Sequence, residues 1–388
     1  MVPKSESAQR IAAMQKRLAE KQLEGAVIVH PADIYYFAGT RQNSAIWIPA
    51  AGSPTIFVRK SLARASAECA LDDVRPFPSK GDLVTQIGPA VRRIGMTFDI
   101  MPAQYYFFYQ LALPGIEIAD VSLLVREVRS VKSPWELDRL RESGRMLAAC
   151  LLEIPRFLRR GMRELDLAAE FEYRLKKIGN EGAIRMRAFG QELIGMVSSG
   201  AQAAAPGVFD GPVTGCGLSS SAPCGPSAAI IAENSPIIVD YSMTHDGYIV
   251  DMTRIFVFGH LSPELEAAFR VALDIQHRIS DMLRPGGSGE QIYRQALEMA
   301  GRAGLGSHFM GIAGEQARFV GHGVGLELDE FPVLAKGFGS PLQTGQVVAV
   351  EPKFSFKGTG VVGIENTYAV TESGGELLTV LADDIVYL

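Results

Sequence analysis

The chain has 388 residues, of which 47% are apolar and 21% charged, so it is long enough for two domains and too apolar for wholesale disorder. Thirty-eight Lys and Arg against forty-three Asp and Glu leave a net charge of −5 with no basic cluster, which speaks against nucleic acid as a partner. No apolar run approaches the roughly 20 residues of a membrane span, the N-terminus lacks a signal-peptide core, and four cysteines are too few for a disulfide scaffold; a cytoplasmic protein is the expectation.

The first 130 residues alternate helical and strand patterns. A helix is expected over 7–23, with Ile11, Met14 and Leu18 on one face and Gly25 ending it. Short apolar runs at 26–29, 45–48 and 55–58 read as strands, and helical patterns follow near 60–70, 82–93 and 102–112. That mixture predicts an α/β domain over residues 1–130. At the boundary, Ser133 can cap a helix that starts at Pro134 and runs to about 158. It opens a second domain over residues 131–388. A further helix is expected over roughly 163–180.

Residues 198–227 are rich in Gly, Ser, Ala and Pro and nearly uncharged. So apolar a loop should lie against a pocket or a partner chain. Ser262-Pro263 opens another helix that ends before Pro285, and Ser288 with Gln291 forms a capping box for one ending near Gly304. From 318 onward the pattern is strands and turns.

Two hairpins in this second part carry paired carboxylates. In the first, Ile237-Ile238-Val239-Asp240 is followed by Tyr248-Ile249-Val250-Asp251. A four-residue loop, Thr244 to Gly247, would make Asp240 and Asp251 direct cross-strand neighbours. In the second, a turn centred on Gly358 sets Glu351 opposite Glu365. Facing carboxylates repel unless a cation lies between them. Between the hairpins, Gly321-His322-Gly323-Val324-Gly325 offers one imidazole on an unobstructed backbone. Four carboxylates and a histidine are an inventory for two divalent ions, with oxygen-rich ligation suited to Mn²⁺, Fe²⁺, Co²⁺ or Zn²⁺.

These stretches, together with Asp251-Met252-Thr253-Arg254, Glu351-Pro352 and Gly363-Ile364-Glu365-Asn366-Thr367, resemble the creatinase/aminopeptidase P/methionine aminopeptidase family, peptidase M24. Tyr35-Tyr36-Phe37-Ala38-Gly39-Thr40 resembles the creatinase-type N-terminal domain, so the resemblance spans nearly the whole chain. It implies an α/β N-terminal domain plus an α+β pita-bread catalytic domain. It implies metal ligands at Asp240, Asp251, His322, Glu351 and Glu365, with Mn²⁺ first among the ions, and Glu351 also taking the proton of the attacking water. It implies an Xaa-Pro peptidase-like hydrolase, commonly a homodimer, acting on small peptides. The alternatives are a hydrolase or lyase for a small non-peptide substrate (creatine, ectoine or a sulfonium compound in relatives) and a non-catalytic binding protein.

The sequence departs from the resembled pattern in two histidines that are not ligands. No histidine stands between His30 and His245, and position 329, seven residues after His322, is aspartate. An ionised Asp329 would make the site negative and oppose a developing oxyanion. Lys353 stands where the resembled family usually has glycine, and Gly363 where many members have arginine. The register puts 353 opposite 363, so the cation has crossed the hairpin. Lys353 is expected to pair with Asp329, and both join Glu351 as candidate catalytic residues. His245 is a candidate for the rim of the site and His308 for lining the pocket, with structural roles as the plainer reading; His260 and His277 read as surface or packing residues. Cys216 and Cys224 lack the pattern of a second metal site. Tyr248 and Arg254 are expected to orient the first hairpin.

Overall fold

A computed structural model describes the chain except residues 183 and 189–194. Two compact units emerge, one built mostly from Met1–Arg129 and the other mostly from Ser130–Leu388. The fold is an α/β N-terminal domain and an α+β pita-bread catalytic domain.

The N-terminal unit holds a six-stranded mixed sheet, in the order Val74–Pro76, Thr55–Val58, Ser44–Pro49, Gly25–Ile28, Arg93–Met96 and Glu117–Asp120. Val27, Trp47, Phe57, Ile94 and Tyr109 pack in its core. The first helix, Lys4–Glu20, buries the expected face of Ile11, Met14 and Leu18. Its end differs from expectation. Gly25 does not stop the helix; it opens the first strand, pairing with Pro49 and Ile94. A Cβ there would lie 2.1 Å from the Trp47 ring, so this glycine serves close packing rather than a helix cap. The helix near 82–93 shortens to Leu83–Ile87, because Gly88 and Pro89 end it. Two short helices, Pro31–Ala38 and Ser122–Ser130, were not legible from periodicity. The first carries Pro at its start and Gly39 at φ 74 at its end.

In the second unit, Ser133 accepts from Glu136 N and the Glu136 side chain accepts from Ser133 N, a capping box that starts the helix Pro134–Phe157. The helices Glu164–Lys177, Pro263–Met282 and Gly289–Arg302 follow as expected, the last opened by the Ser288/Gln291 box. One sheet orders Val386–Tyr387, Tyr248–Val257, Ile237–His245 and Met196–Ser199. A second orders Glu330–Ala335, Phe319–Gly323, Val347–Val350, Asn366–Thr371 and Gly374–Leu377, and Lys353–Phe356 pairs with Gly360–Gly363 alone. Ile238, Phe269, Ile279, Val350, Phe354 and Val362 share the core between helices and strands. Each of these side chains, once buried, contributes about 1.5–3 kcal/mol of hydrophobic stabilisation.

Candidate metal centre

The first hairpin is an unbroken ladder closed by Asp246-Gly247, with His245 opposite Tyr248. Both turn residues have positive φ, 47° and 83°, the two-residue turn whose twist matches the strands. The expected four-residue loop is therefore corrected, and the register moves by two. Asp240 faces Thr253, and Asp251 faces Ser242. The two aspartates are diagonal neighbours on one face rather than direct partners.

In the second hairpin Lys353 pairs with Gly363 and Val350 with Asn366, so the register centred on Gly358 holds. The ladder breaks in between, where Pro352 has no N–H to give. Glu351 and Glu365 occupy that break, both buried. The Thr253 hydroxyl donates to Glu365 Oε2 at 2.9 Å, and Thr253 N donates to Glu365 O. Arg254, almost wholly buried, donates to the carbonyls of Thr253, Glu365, Leu381 and Ala382 and to Asn366 Oδ1, and pairs with Asp383 at 3.1 Å. It ties the two hairpins together, the orienting role expected of it. Tyr248, also expected to orient, donates to Glu136 Oε1 at 2.9 Å.

His322 sits mid-strand opposite Ala349. Its Nδ1 lies 2.8 Å from Leu328 O, which fixes the Nδ1–H tautomer and leaves the Nε2 lone pair free for a metal. Nε2 lies 3.7 Å from Glu351 Oε1 and 3.9 Å from Glu365 Oε1. Arg185 donates to Leu326 O and Gly247 O, and Ile249 N donates to Gly325 O, so the loop after His322 is fastened to the first hairpin's turn.

Among the described residues, one group has metal-binding geometry: ligand atoms of Asp251, His322 and Glu365 lie within 4.8 Å of one another. Two observations favour a cation there. Glu365 Oε1 is buried with no hydrogen-bond partner. Burial, reinforced by the Glu365 and Asp240 carboxylates, also holds Asp251 well above the usual carboxylate range. Burial likewise raises Glu365, with Lys353 opposing and Glu351 adding to the rise. Burial pulls the His322 imidazole down, but Asp329, Glu351 and Glu365 push it up further, to a net rise. Acids that hold their protons this tightly mark a site short of positive charge.

Asp240 and Glu351 fall outside the close group, and both of them, like Glu365, are engaged with Lys353. The Lys353 ammonium, 1% exposed, donates to Glu365 Oε2 at 2.7 Å, Glu351 Oε2 at 2.8 Å and Asp240 Oδ2 at 3.0 Å. The expected pairing with Asp329 does not form. Asp329 is half-exposed and lies 3.5 Å from His322 Nδ1 instead. A buried ammonium is drawn to three carboxylates, two buried and one largely so, over one that water already solvates. Burial lowers the Lys353 ammonium's pKa, but Asp240, Glu351 and Glu365 more than reverse that and hold it well above the lysine value.

The apolar segment after Ser199 walls a cavity of roughly 370 Å³, with Ala203, Pro206, Phe209 and Pro212 on one side and Ile312 and Arg318 on the other. Ser355, two residues beyond Lys353 on the same strand, also lines it and donates to Pro212 O. The segment thus lies against a pocket, as expected. Its inner edge is held by buried Glu164, which accepts from Ser199 and Ser227 through backbone N–H and hydroxyl groups. His308 stacks on Phe356 with centroids 4.4 Å apart and contacts Ser355 O, a packing role. His260 and His277 are exposed. Cys216 lies 2.9 Å from Gln202 Oε1, and both it and Cys224 are free thiols.

Periodicity missed three supporting groups: Thr253, Thr367 and the Leu328 carbonyl. Thr253 and Thr367 each lie two residues beyond a carboxylate, and Thr367 Oγ1 is bonded to both Asp251 N and Asp251 O. That spacing of two on a strand was the available signal.

Fold and site together define a metal-dependent hydrolase of pita-bread architecture. The chain belongs to metallopeptidase family M24, whose model matches residues 138–372, and a creatinase/prolidase N-terminal domain matches residues 10–131. It is 28% identical over 381 residues to the probable dipeptidase PepE of Mycobacterium tuberculosis, covering 95% of this chain and 92% of that one. It is 23% identical over 372 residues to the Xaa-Pro dipeptidase of Pyrococcus furiosus, covering 96% and 97%. The solved Xaa-Pro dipeptidase of Bacillus anthracis superposes with a TM-score of 0.84 at 22% identity, covering 98% of this chain and 100% of that one. No helix among the described residues is long and apolar enough to cross a membrane.

Proposed function

We propose that this protein hydrolyses short peptides of the Xaa-Pro type with a divalent ion held by Asp251, His322 and Glu365. The observation that carries this reading is the buried ligand group itself, inside an M24 domain; a cavity in the same unit is lined by Ser355, two residues along the strand from Lys353. The named activities of the relatives supply the substrate class. A divalent ion supplies Lewis acidity to a carbonyl and acidity to a water molecule. Glu351 takes the proton of the attacking water at Oε1, because Oε2 is already bound to Lys353. His322 holds its ligating nitrogen toward the carboxylates through the Leu328 carbonyl. Thr253 and Arg254 fix Glu365 from its side chain and its backbone. The cavity beside Ser355 seats the substrate.

Mn²⁺ is the first ion to test, and a cytoplasmic homodimer is part of the same proposal; Val208 and Leu218 in the apolar segment are exposed, and so is Ile230 just beyond it. A second reading, a small cationic or zwitterionic non-peptide substrate, is favoured by Asp329. It sets a half-exposed carboxylate beside His322 where the resembled peptidases carry histidine. The test is turnover of Xaa-Pro di- and tripeptides by Mn²⁺-loaded protein, with Glu351→Ala as control. Cleavage lost in the variant supports the peptidase. No cleavage by metal-loaded wild type moves the assignment to small zwitterions.

A further inference from the structure

M24 centres are expected to be dinuclear, yet the residues here fit one ion and not two. The two glutamates show why. Each has two oxygens, and the two faces of the cluster use them differently. Oε1 of Glu351 and Oε1 of Glu365 lie toward His322 Nε2, at 3.7 and 3.9 Å. On this face Glu365 Oε1 has no partner. Oε2 of both glutamates and Oδ2 of Asp240 converge on Lys353 Nζ, at 2.7 to 3.0 Å. A cation held by those three oxygens would occupy the position the ammonium already fills. Two cations cannot share it, since each would repel the other with most of the water excluded.

The backbone admits this lysine. Gly363 is its cross-strand partner, and a Cβ at 363 would lie 2.7 Å from Lys353 Cγ and 2.5 Å from Pro352 O. The stem of Lys353 therefore runs over a glycine to reach the acids, and the side chain ends 1% exposed.

We infer that Lys353 is a built-in replacement for one of two metal ions, so that the protein is a single-metal enzyme whose second cation is covalently attached. This rests on the metal site proposed above. Asp240 then serves the ammonium and not an ion. Glu351 is oriented by a charge that neither exchanges nor is removed by chelators. Lys353 is a positioning residue, acting through Glu351 and Glu365.

The test is metal counting on the full chain, loaded with excess Mn²⁺, desalted and analysed by elemental mass spectrometry, with Mn²⁺ electron paramagnetic resonance on the same samples. Wild type is expected to retain one Mn²⁺ per chain with an uncoupled six-line spectrum. Lys353→Gly is expected to retain two, with an exchange-coupled spectrum, and Lys353→Met, which keeps the stem but not the charge, is the substitute if the glycine variant does not fold. Two ions in wild type would overturn this inference alone. One ion in both wild type and a folded variant would overturn it too. No ion retained by wild type would overturn the metal site itself, and the inference with it. Even if neither variant folds, a wild type that retains two ions, or none, still overturns the inference.

Discussion

The two carboxylate hairpins look alike in sequence and solve their task differently. The first is one uninterrupted ladder, and its aspartates project from regular strand positions. The second abandons its ladder at Glu351-Pro352 and resumes it at Lys353, so its glutamates sit where the backbone is unpaired. An unbroken ladder places side chains by register alone. A broken one needs other anchors, and Thr253 and Arg254 of the first hairpin supply them to Glu365. The first hairpin is therefore scaffold as well as the proposed ligand source, while the second carries the proposed proton-transfer group and the inferred built-in cation.

That asymmetry can be broken at several points. The largest effect belongs to the second hairpin. Glu351→Ala should lower kcat on the best substrate by about 10²–10⁴-fold in a protein that still folds; an activity loss below tenfold would contradict its role. Next is the tie between the hairpins. Arg254→Leu removes the donor shared by five acceptors and the ion pair with Asp383, and should cost about 3–5 kcal/mol in urea unfolding. A loss under 1 kcal/mol would show that the hairpins hold each other without it. Saturation of the site should stabilise the protein in turn: Mn²⁺ at one hundred times its Kd adds about 2.7 kcal/mol at 25 °C. That gain should vanish in His322→Ala, measured by thermal shift. The smallest effect lies in the first hairpin's turn. Gly247→Ala forces a side chain to φ 83 and should cost about 1–2 kcal/mol, with metal affinity unchanged because the ladder register is set by Asp246 as well.

Much of this was legible in the sequence, for physical reasons. Helix starts carry chemistry at the residues themselves, so Ser133-Pro134 and the Ser288/Gln291 box could be read directly. The second hairpin's register followed from its Gly358 turn. The first was read two residues out. A loop length is not visible when both hairpin strands are apolar, and the Asp-Gly pair admits either a two- or a four-residue closure. All five candidate ligands come to one site, but how they divide was hidden. That division depends on where one lysine ends after crossing a glycine, which is a matter of packing and not of pattern. Gly25 failed as a helix signal for the same reason, since its neighbour in space, Trp47, is distant in sequence.

The central claim is that an ion binds on the His322 face of this cluster. Pulsed electron paramagnetic resonance of the protein carrying one Mn²⁺ tests it directly, by seeking coupling to an imidazole nitrogen. The account predicts one ¹⁴N coupling that disappears in His322→Ala. A spectrum from bound Mn²⁺ with no nitrogen coupling would place the ion away from Asp251, His322 and Glu365 and contradict the account.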